Sequence, residues 1–351
     1  MNPSSAQALL KLMTDDIRTQ QTIHQPTAFW STASRDIYDE LTTHGFQNFR
    51  SLPSTRSYFV PTYGPPGNTL TPEDVQQIEE AILANTERQS KKHSTLMHMI
   101  GGEMWALADY RVYRAADDLS QAPNLAKLSE SKVGNPSEHF CLEERWFSRS
   151  FLNYILGIVF LKQHIQTADI KRVIEVGGGF GTLGEILLQA GDYAYVDVDI
   201  PPTAAVASYY LSNQPGANLL SYAETRGAES IPFPDPGTQL VLCPWQLPSL
   251  CGKADLFVNF ISFQEMEPHV VQDYLAHVDR LSCRFVLLRN LREGKQRKTE
   301  EMALGVETPT LGSDYDHFMP NYRLIATNVI PFGFRTIDGF NSELRLYERK
   351  G

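Results

Sequence analysis

A chain of 351 residues, 42% hydrophobic and 21% charged, can bury a large core as one elaborated domain or as two. Its formal net charge of −10 argues against a nucleic-acid partner, which would want a basic face. The longest apolar run, Tyr154 to Leu161, is too short to span a bilayer and reads as a core helix.

Residues near Ser5 to Thr22 carry Leu9, Leu10, Leu12, Met13 and Ile17 at amphipathic helical spacing. A second helical stretch, Ala28 to Thr43, is ended by Gly45. Phe46 to Val60 is mixed and aromatic, and Gly64 to Gly67 reads as a loop. Thr71 then caps a helix, with Pro72 at its first position and acids in its first turn, running to about Asn85. Another helix starts near Lys91, breaks at Gly101-Gly102 and continues to Ala116. Residues 1–130 are therefore expected to form a helical domain, and 131–351 a second domain. Ser129 to Pro136 is a break, and Phe147 to His164 is a helix leading into a buried strand, Val173 to Val176. Gly177 to Gly181 makes a loop bare of most side chains, Leu183 to Gln189 is a helix ended by Gly191, and Tyr193 to Val198 is the next strand. Further helices are expected over Thr203 to Leu211 and Pro268 to Leu281. Strands are expected over Gln239–Cys243, Ala254–Phe260, Phe285–Leu288, Tyr322–Ile330 and Glu343–Glu348. Alternating strands and helices imply an α/β fold with a parallel sheet, and the two closing strands imply an antiparallel edge.

The four cysteines lack metal-type spacing and the N-terminus lacks a charged-then-apolar leader, so reduced thiols in a cytoplasm are expected. His93 and His98 are not on one helical face, and Asp255, Glu265 and Asp316 have no diagnostic ligand spacing; no metal is expected. The basic cluster Arg289 to Lys298 is interrupted by Glu293 and reads as a solvated loop.

The glycine loop admits two frames. Gly179-x-Gly181-x-x-Gly184, with Asp199 about 20 residues on, fits a dinucleotide fingerprint. Glu175-x-Gly177-x-Gly179-x-Gly181 puts an acid inside the strand beside the loop. A carboxylate there suits a ligand carrying an ammonium and a sulfonium, and would repel a pyrophosphate. This second frame resembles motif I of the class I S-adenosylmethionine-dependent methyltransferases. Asn259-Phe-Ile-Ser-Phe-Gln-Glu-Met266 falls where motif IV does, at the end of the fourth strand. Together with Ser131-Lys-Val-Gly-Asn-Pro136 and Asp199-Ile-Pro201, these segments resemble a family of sugar O-methyltransferases found with bacterial polysaccharide and glycosylated natural-product pathways. The resemblance covers about residues 129 to 348 and implies a seven-stranded Rossmann-like sheet that binds S-adenosyl-L-methionine, with the N-terminal helices as a lid or acceptor platform. The implied acceptor is a sugar hydroxyl in a glycan, nucleotide sugar or glycosylated natural product. The alternatives are O- or N-methylation of another small natural product, a nicotinamide-dependent oxidoreductase, and a non-catalytic cofactor-binding scaffold. A homo-oligomer is compatible with the sequence.

Under this resemblance Glu175, Gly177, Gly179 and Gly181 hold the methionine end of the cofactor, and Asp199 takes the ribose hydroxyls, with Asp197 its rival. Trp245 lies where adenine usually does, unless it is a plain core or surface aromatic. Asn259 and Ser262 position the sugar or satisfy strand-end backbone groups. Asn135 and Arg149 precede the core and could line the acceptor cleft; Arg145 and Arg149 could equally pair with Glu143 and Glu144. Methyl transfer to oxygen needs alignment and usually a proton acceptor. His317, beside Asp316 in the loop before the sixth strand, is favoured as base, with Glu265 orienting it or the hydroxyl and His269 next in line.

Overall fold

The computed structural model describes residues 1–59, 72–299, 305–336 and 338–351. The expected loop at 64–67 and the Thr71 cap lie outside these. The described residues of the N-terminal third form α1 (Pro3–Ile17), α2 (Ala28–His44), α3 (Pro53–Phe59), α4 (Pro72–Leu83), α5 (Lys91–Ile100) and α6 (Glu103–Ala116). The Asn2 side chain caps α1 by accepting from the Ser5 amide at 2.8 Å, and Gly101-Gly102 separates α5 from α6 as expected. A short hairpin, Phe140–Leu142 with Arg145–Phe147, precedes α7 (Arg149–His164). Every residue from Arg149 to Lys162 is buried. A helix apolar around its whole circumference must be covered on all sides, and α7 shares one apolar core with the sheet and with α1, α2 and α6. Lys162 is paired with Asp117, just past α6, at 2.5 Å, both side chains nearly inaccessible.

The central sheet contains β1 (Arg172–Val176), β2 (Ala194–Val198), β3 (Leu219–Leu220), β4 (Gln239–Leu242), β5 (Leu256–Phe260), β6 (Phe285–Leu291), β7 (Tyr322–Asn328), β8 (Phe334–Arg335) and β9 (Asn341–Arg349). Their order is β7-β9-β6-β5-β1-β2-β4-β3, with β8 on β9. The run from β6 to β3 is parallel, and β9 is antiparallel to β6, β7 and β8. Among the described residues the sheet thus has nine strands, not the expected seven; β3 and β8 are two-residue pieces too short to leave a period-2 pattern.

Helices α8 (Thr182–Ala190) and α9 (Thr203–Ser212) share the core of α7, while α11 (Pro268–Arg280) and α12 (Asp314–Phe318) belong to the core on the other face; α10 (Tyr222–Thr225) is a single turn. Side chains alternate accordingly: Val173 and Tyr195 join the first core, Ile174 and Val196 the second. The expected break at 129–136 is a tie. Glu130 is buried, pairs with Arg50 at 2.5 Å and accepts the Ser148 hydroxyl at 2.9 Å. Among the described residues no helix is long and apolar enough to cross a membrane.

Candidate active site

A cleft of about 870 Å³ opens at the carboxyl ends of β1, β2 and β5, where ligands of open α/β sheets bind. Its floor is the loop after β1. Gly177 has φ +72°, and a Cβ there would sit 2.0 Å from the Ser262 hydroxyl, so only glycine fits between β1 and the turn after β5. Gly179 has φ +64° and nothing within 4 Å of where a Cβ would stand, leaving its backbone open to a ligand. Gly181 is the N-cap of α8 and is not part of the cleft wall.

Three carboxyls cluster at this loop. Asp199 follows β2 and lines the cleft, accepting from the Gly179 amide at 3.1 Å and the Ile200 amide at 2.7 Å. Burial pushes its carboxyl up to about 8 against those two hydrogen bonds, and the Glu175 and Glu265 charges add to the rise. Asp197 is fully buried beneath the loop, outside the cleft wall, and takes the Gly178 amide at 3.3 Å. Burial, then the neighbouring Asp199 and Glu175, raise it well above the carboxylate range. Between the two aspartates, Asp199 is the one that faces the cleft. Glu175, opposite Asp197 in the β1–β2 register, is also beneath the wall. Its oxygens accept from Tyr154 at 2.7 Å and Tyr195 at 2.6 Å, and burial pushes it up to about 7. It supports the loop from below and does not touch the cleft directly.

The opposite wall is the turn after β5. Ile261 is β-branched with φ +74°, a strained conformation. Its amide donates to the Arg289 carbonyl at 2.6 Å, and the kink turns Ser262 to Glu265 across the cleft mouth. Asn259 lies below this turn and is saturated. Its amide nitrogen donates to the Val176 carbonyl and Ser262, and its oxygen accepts from the Phe263 and Asn290 nitrogens. Ser262 lines the cleft; Asn259 holds the turn in place.

Glu265 is the carboxylate of this wall. Oε1 accepts from Lys295 at 2.8 Å and Oε2 from the Trp30 indole at 3.1 Å. Thr27 donates to the Glu265 carbonyl at 3.0 Å. Residues before and within α2 therefore reach across to the wall, and Phe29, Trp30 and Tyr58 form an aromatic face with ring centroids 5.8–6.3 Å apart. Ile200, Val270 and Tyr274 line the apolar end beside Asp199.

Several expected residues are elsewhere. His317 and His269 are exposed and outside the cleft. In the short helix α12, Tyr315 is buried in the core under Phe263, which turns His317 to solvent. Asp316 is committed to Arg345 at 2.9 and 3.0 Å and to the Tyr347 hydroxyl. Trp245 packs edge-on to Tyr222, away from the cleft. Asn135 is exposed at the Ser51 contact, and Arg149 is buried beside Asp109 and Glu138. Arg145 binds the Ala126 carbonyl and Tyr110. The basic cluster is no simple solvated loop: Arg289 is buried in β6 and Lys295 lines the cleft. Sequence reasoning missed Lys295, Thr27 and Tyr274; Lys295 was noted only as part of the basic cluster Arg289 to Lys298. Asp255 accepts two backbone amides, from Lys171 and Arg172, away from the cleft, and no metal-binding group of three residues exists among the described residues.

The Asp199 carboxyl facing the cleft, the bare Gly179 backbone and the apolar pocket around Tyr274 fit a nucleoside whose ribose meets a carboxylate and whose base is buried among apolar groups. No family model matches the chain, and no curated protein matches it. Solved structures similar to it include a glycopeptide N-methyltransferase, MtfA, complexed with S-adenosylmethionine, at 14% identity over 56% of this chain and 86% of that one, TM-score 0.37. A magnesium protoporphyrin IX methyltransferase from Synechocystis matches at 14% identity over 57% and 81%, TM-score 0.37. An S-adenosylmethionine-dependent methyltransferase from Clostridium acetobutylicum matches at 11% identity over 58% and 92%, TM-score 0.38.

Proposed function

We propose that this chain is an S-adenosylmethionine-dependent methyltransferase that acts on a sugar hydroxyl. The observation that carries the reading is Asp199 facing the open Gly179 backbone across a cleft whose far wall presents Glu265. Asp199 holds the ribose hydroxyls, Gly177 to Gly179 receive the methionine end, and Ile200, Val270 and Tyr274 surround the adenine. Glu175 acts from beneath, fixing the loop through Tyr154 and Tyr195. Three carboxyls cluster at this loop, and even with their protons retained they supply no positive charge to a pyrophosphate, which disfavours the dinucleotide frame.

When bound, the cofactor supplies an electrophilic methyl group. The chain's own part is alignment, water exclusion and proton removal. Glu265 takes the role first expected of His317. Lys295 and the Trp30 indole fix its carboxylate at the acceptor side, where it accepts the hydroxyl proton as the oxygen is methylated. The N-terminal region, 1–130, acts as the acceptor platform: Thr27 and Trp30 latch it to the wall, and the aromatic face receives the apolar CH surface of a sugar ring. Titration with S-adenosylhomocysteine and, separately, NAD tests the cofactor; mass spectrometry of saccharides incubated with labelled cofactor tests the acceptor. Binding of NAD alone would overturn the reading.

A further inference from the structure

The charge lining the cleft selects among sugars. Four carboxyls line it, those of Asp36, Asp199, Glu265 and Asp338, against a single cationic side chain among the described residues, Lys295. The residues outside the described set, 60–71, 300–304 and 337, include no Lys, Arg or His, and 300–304 holds two glutamates. Lys295 is already engaged, 2.8 Å from Glu265 and 4.0 Å from the Phe29 ring centroid. Asp199 faces the cofactor side. Asp36 and Asp338 are left for the acceptor. Among the described residues Asp36 pairs with Arg35 at 3.7 Å, whose side chain is 71% exposed. Such a surface pair is weak and well screened. Asp36 lies seven residues after Phe29 on α2, and both line the same cleft as Trp30 and Tyr58. That puts a carboxylate in the cleft that holds the aromatic rings.

A phosphate or diphosphate entering here would lose its water and meet no free cation among the described residues. A protonated amine would meet Asp36 in the cleft that Trp30 and Tyr58 line, and a carboxylate and aromatic rings both attract cations. Resting on the sugar O-methyltransferase reading above, we propose that the acceptor is a saccharide bearing a protonated amine, and that sugar phosphates and nucleotide-linked sugars are excluded.

The test uses the full chain, labelled S-adenosylmethionine and a panel of methyl aminoglycosides. Each amine is run beside its N-acetyl counterpart and beside the same sugar as a phosphate and as a nucleoside diphosphate conjugate. The expected result is a highest kcat/KM for an amine-bearing member, about tenfold or more above its N-acetyl partner, the scale of a partly desolvated cation contact. Asp36→Asn should lower that ratio about tenfold and Asp36→Glu restore part of it, with both variants checked for native melting. A preference for neutral or phosphorylated sugars, or a ratio unmoved in Asp36→Asn, overturns this inference while leaving the methyltransferase reading intact. If S-adenosylhomocysteine binds but no saccharide is labelled, the sugar reading fails and takes this inference with it.

Discussion

Replacing Asp199 by Asn keeps the side chain's size and removes its ability to ionise and to accept at both oxygens, the two properties the ribose assignment uses. Asp199 already accepts two backbone amides, from Gly179 at 3.1 Å and from Ile200 at 2.7 Å, one on each oxygen. An asparagine can accept only one of them; its NH2 must face the other donor. The variant therefore misplaces either the glycine loop or the chain into α9. Loss of charge-assisted hydrogen bonds to a ligand costs about 1.5–3 kcal/mol, which corresponds to roughly 10- to 150-fold weaker binding. Calorimetric titration with S-adenosylhomocysteine reads this directly, and a melting curve separates it from misfolding. Asp197→Asn is the control, because Asp197 is buried under the loop and outside the cleft; its affinity should stay within about threefold, well under the loss of one charged hydrogen bond. Binding in Asp199→Asn within twofold of the parent, in a protein that melts normally, would refute the ribose assignment.

Further outcomes follow from the same geometry. Glu265→Gln should lower turnover by about 10²- to 10⁴-fold with S-adenosylhomocysteine affinity retained, whereas His317→Ala and His269→Ala should be close to normal because neither lines the cleft; the reverse pattern in steady-state kinetics would restore the histidine assignment. Gly177→Ala combines φ +72° with a Cβ 2.0 Å from Ser262, so it should lose about 2 kcal/mol or more of stability and most cofactor binding, as read by melting and titration. Burial pushes Glu138, Glu175 and Glu185 up to about 7, 7 and 8, while in the unfolded chain they ionise near about 4.3. At these three sites the native state holds more protons between those limits, so the stability they contribute is full below about pH 4 and is lost as pH rises towards about 8. Glu185→Gln should make the pH slope of stability less negative than the parent's in denaturant titrations from about pH 5 to 8, and an unchanged slope in that variant would contradict it.

The strand, glycine loop and helix from Arg172 to Ala190, with the strand that follows, were legible because their signals are local: an apolar run, glycines at fixed spacing, helical periodicity. Asp199 could be chosen over Asp197 from its place at the strand end, and it is the one facing the cleft. The acceptor wall was not legible. Glu265 meets Trp30 across 235 residues of sequence and Thr27 across 238, and no period or spacing encodes such a contact. Lys295 was hidden among Arg289 to Lys298, where neighbours in sequence go to opposite environments: Arg289 into the core, Lys298 to solvent. The Asp316–His317 pair suggested a charged dyad, but a five-residue helix anchored by buried Tyr315 sends Asp316 to Arg345 and His317 outward. Strands of two residues leave no pattern at all, so Leu219–Leu220 and Phe334–Arg335 were not among the expected strands.

The most direct test of the central claim is mass spectrometry of saccharides incubated with the full chain and cofactor carrying a deuterated methyl group. The account predicts a saccharide product that gains one labelled methyl on a hydroxyl oxygen, and loss of that product in Glu265→Gln while S-adenosylhomocysteine still binds. Binding of S-adenosylhomocysteine with the label found only on a non-saccharide acceptor, or on none, would contradict it.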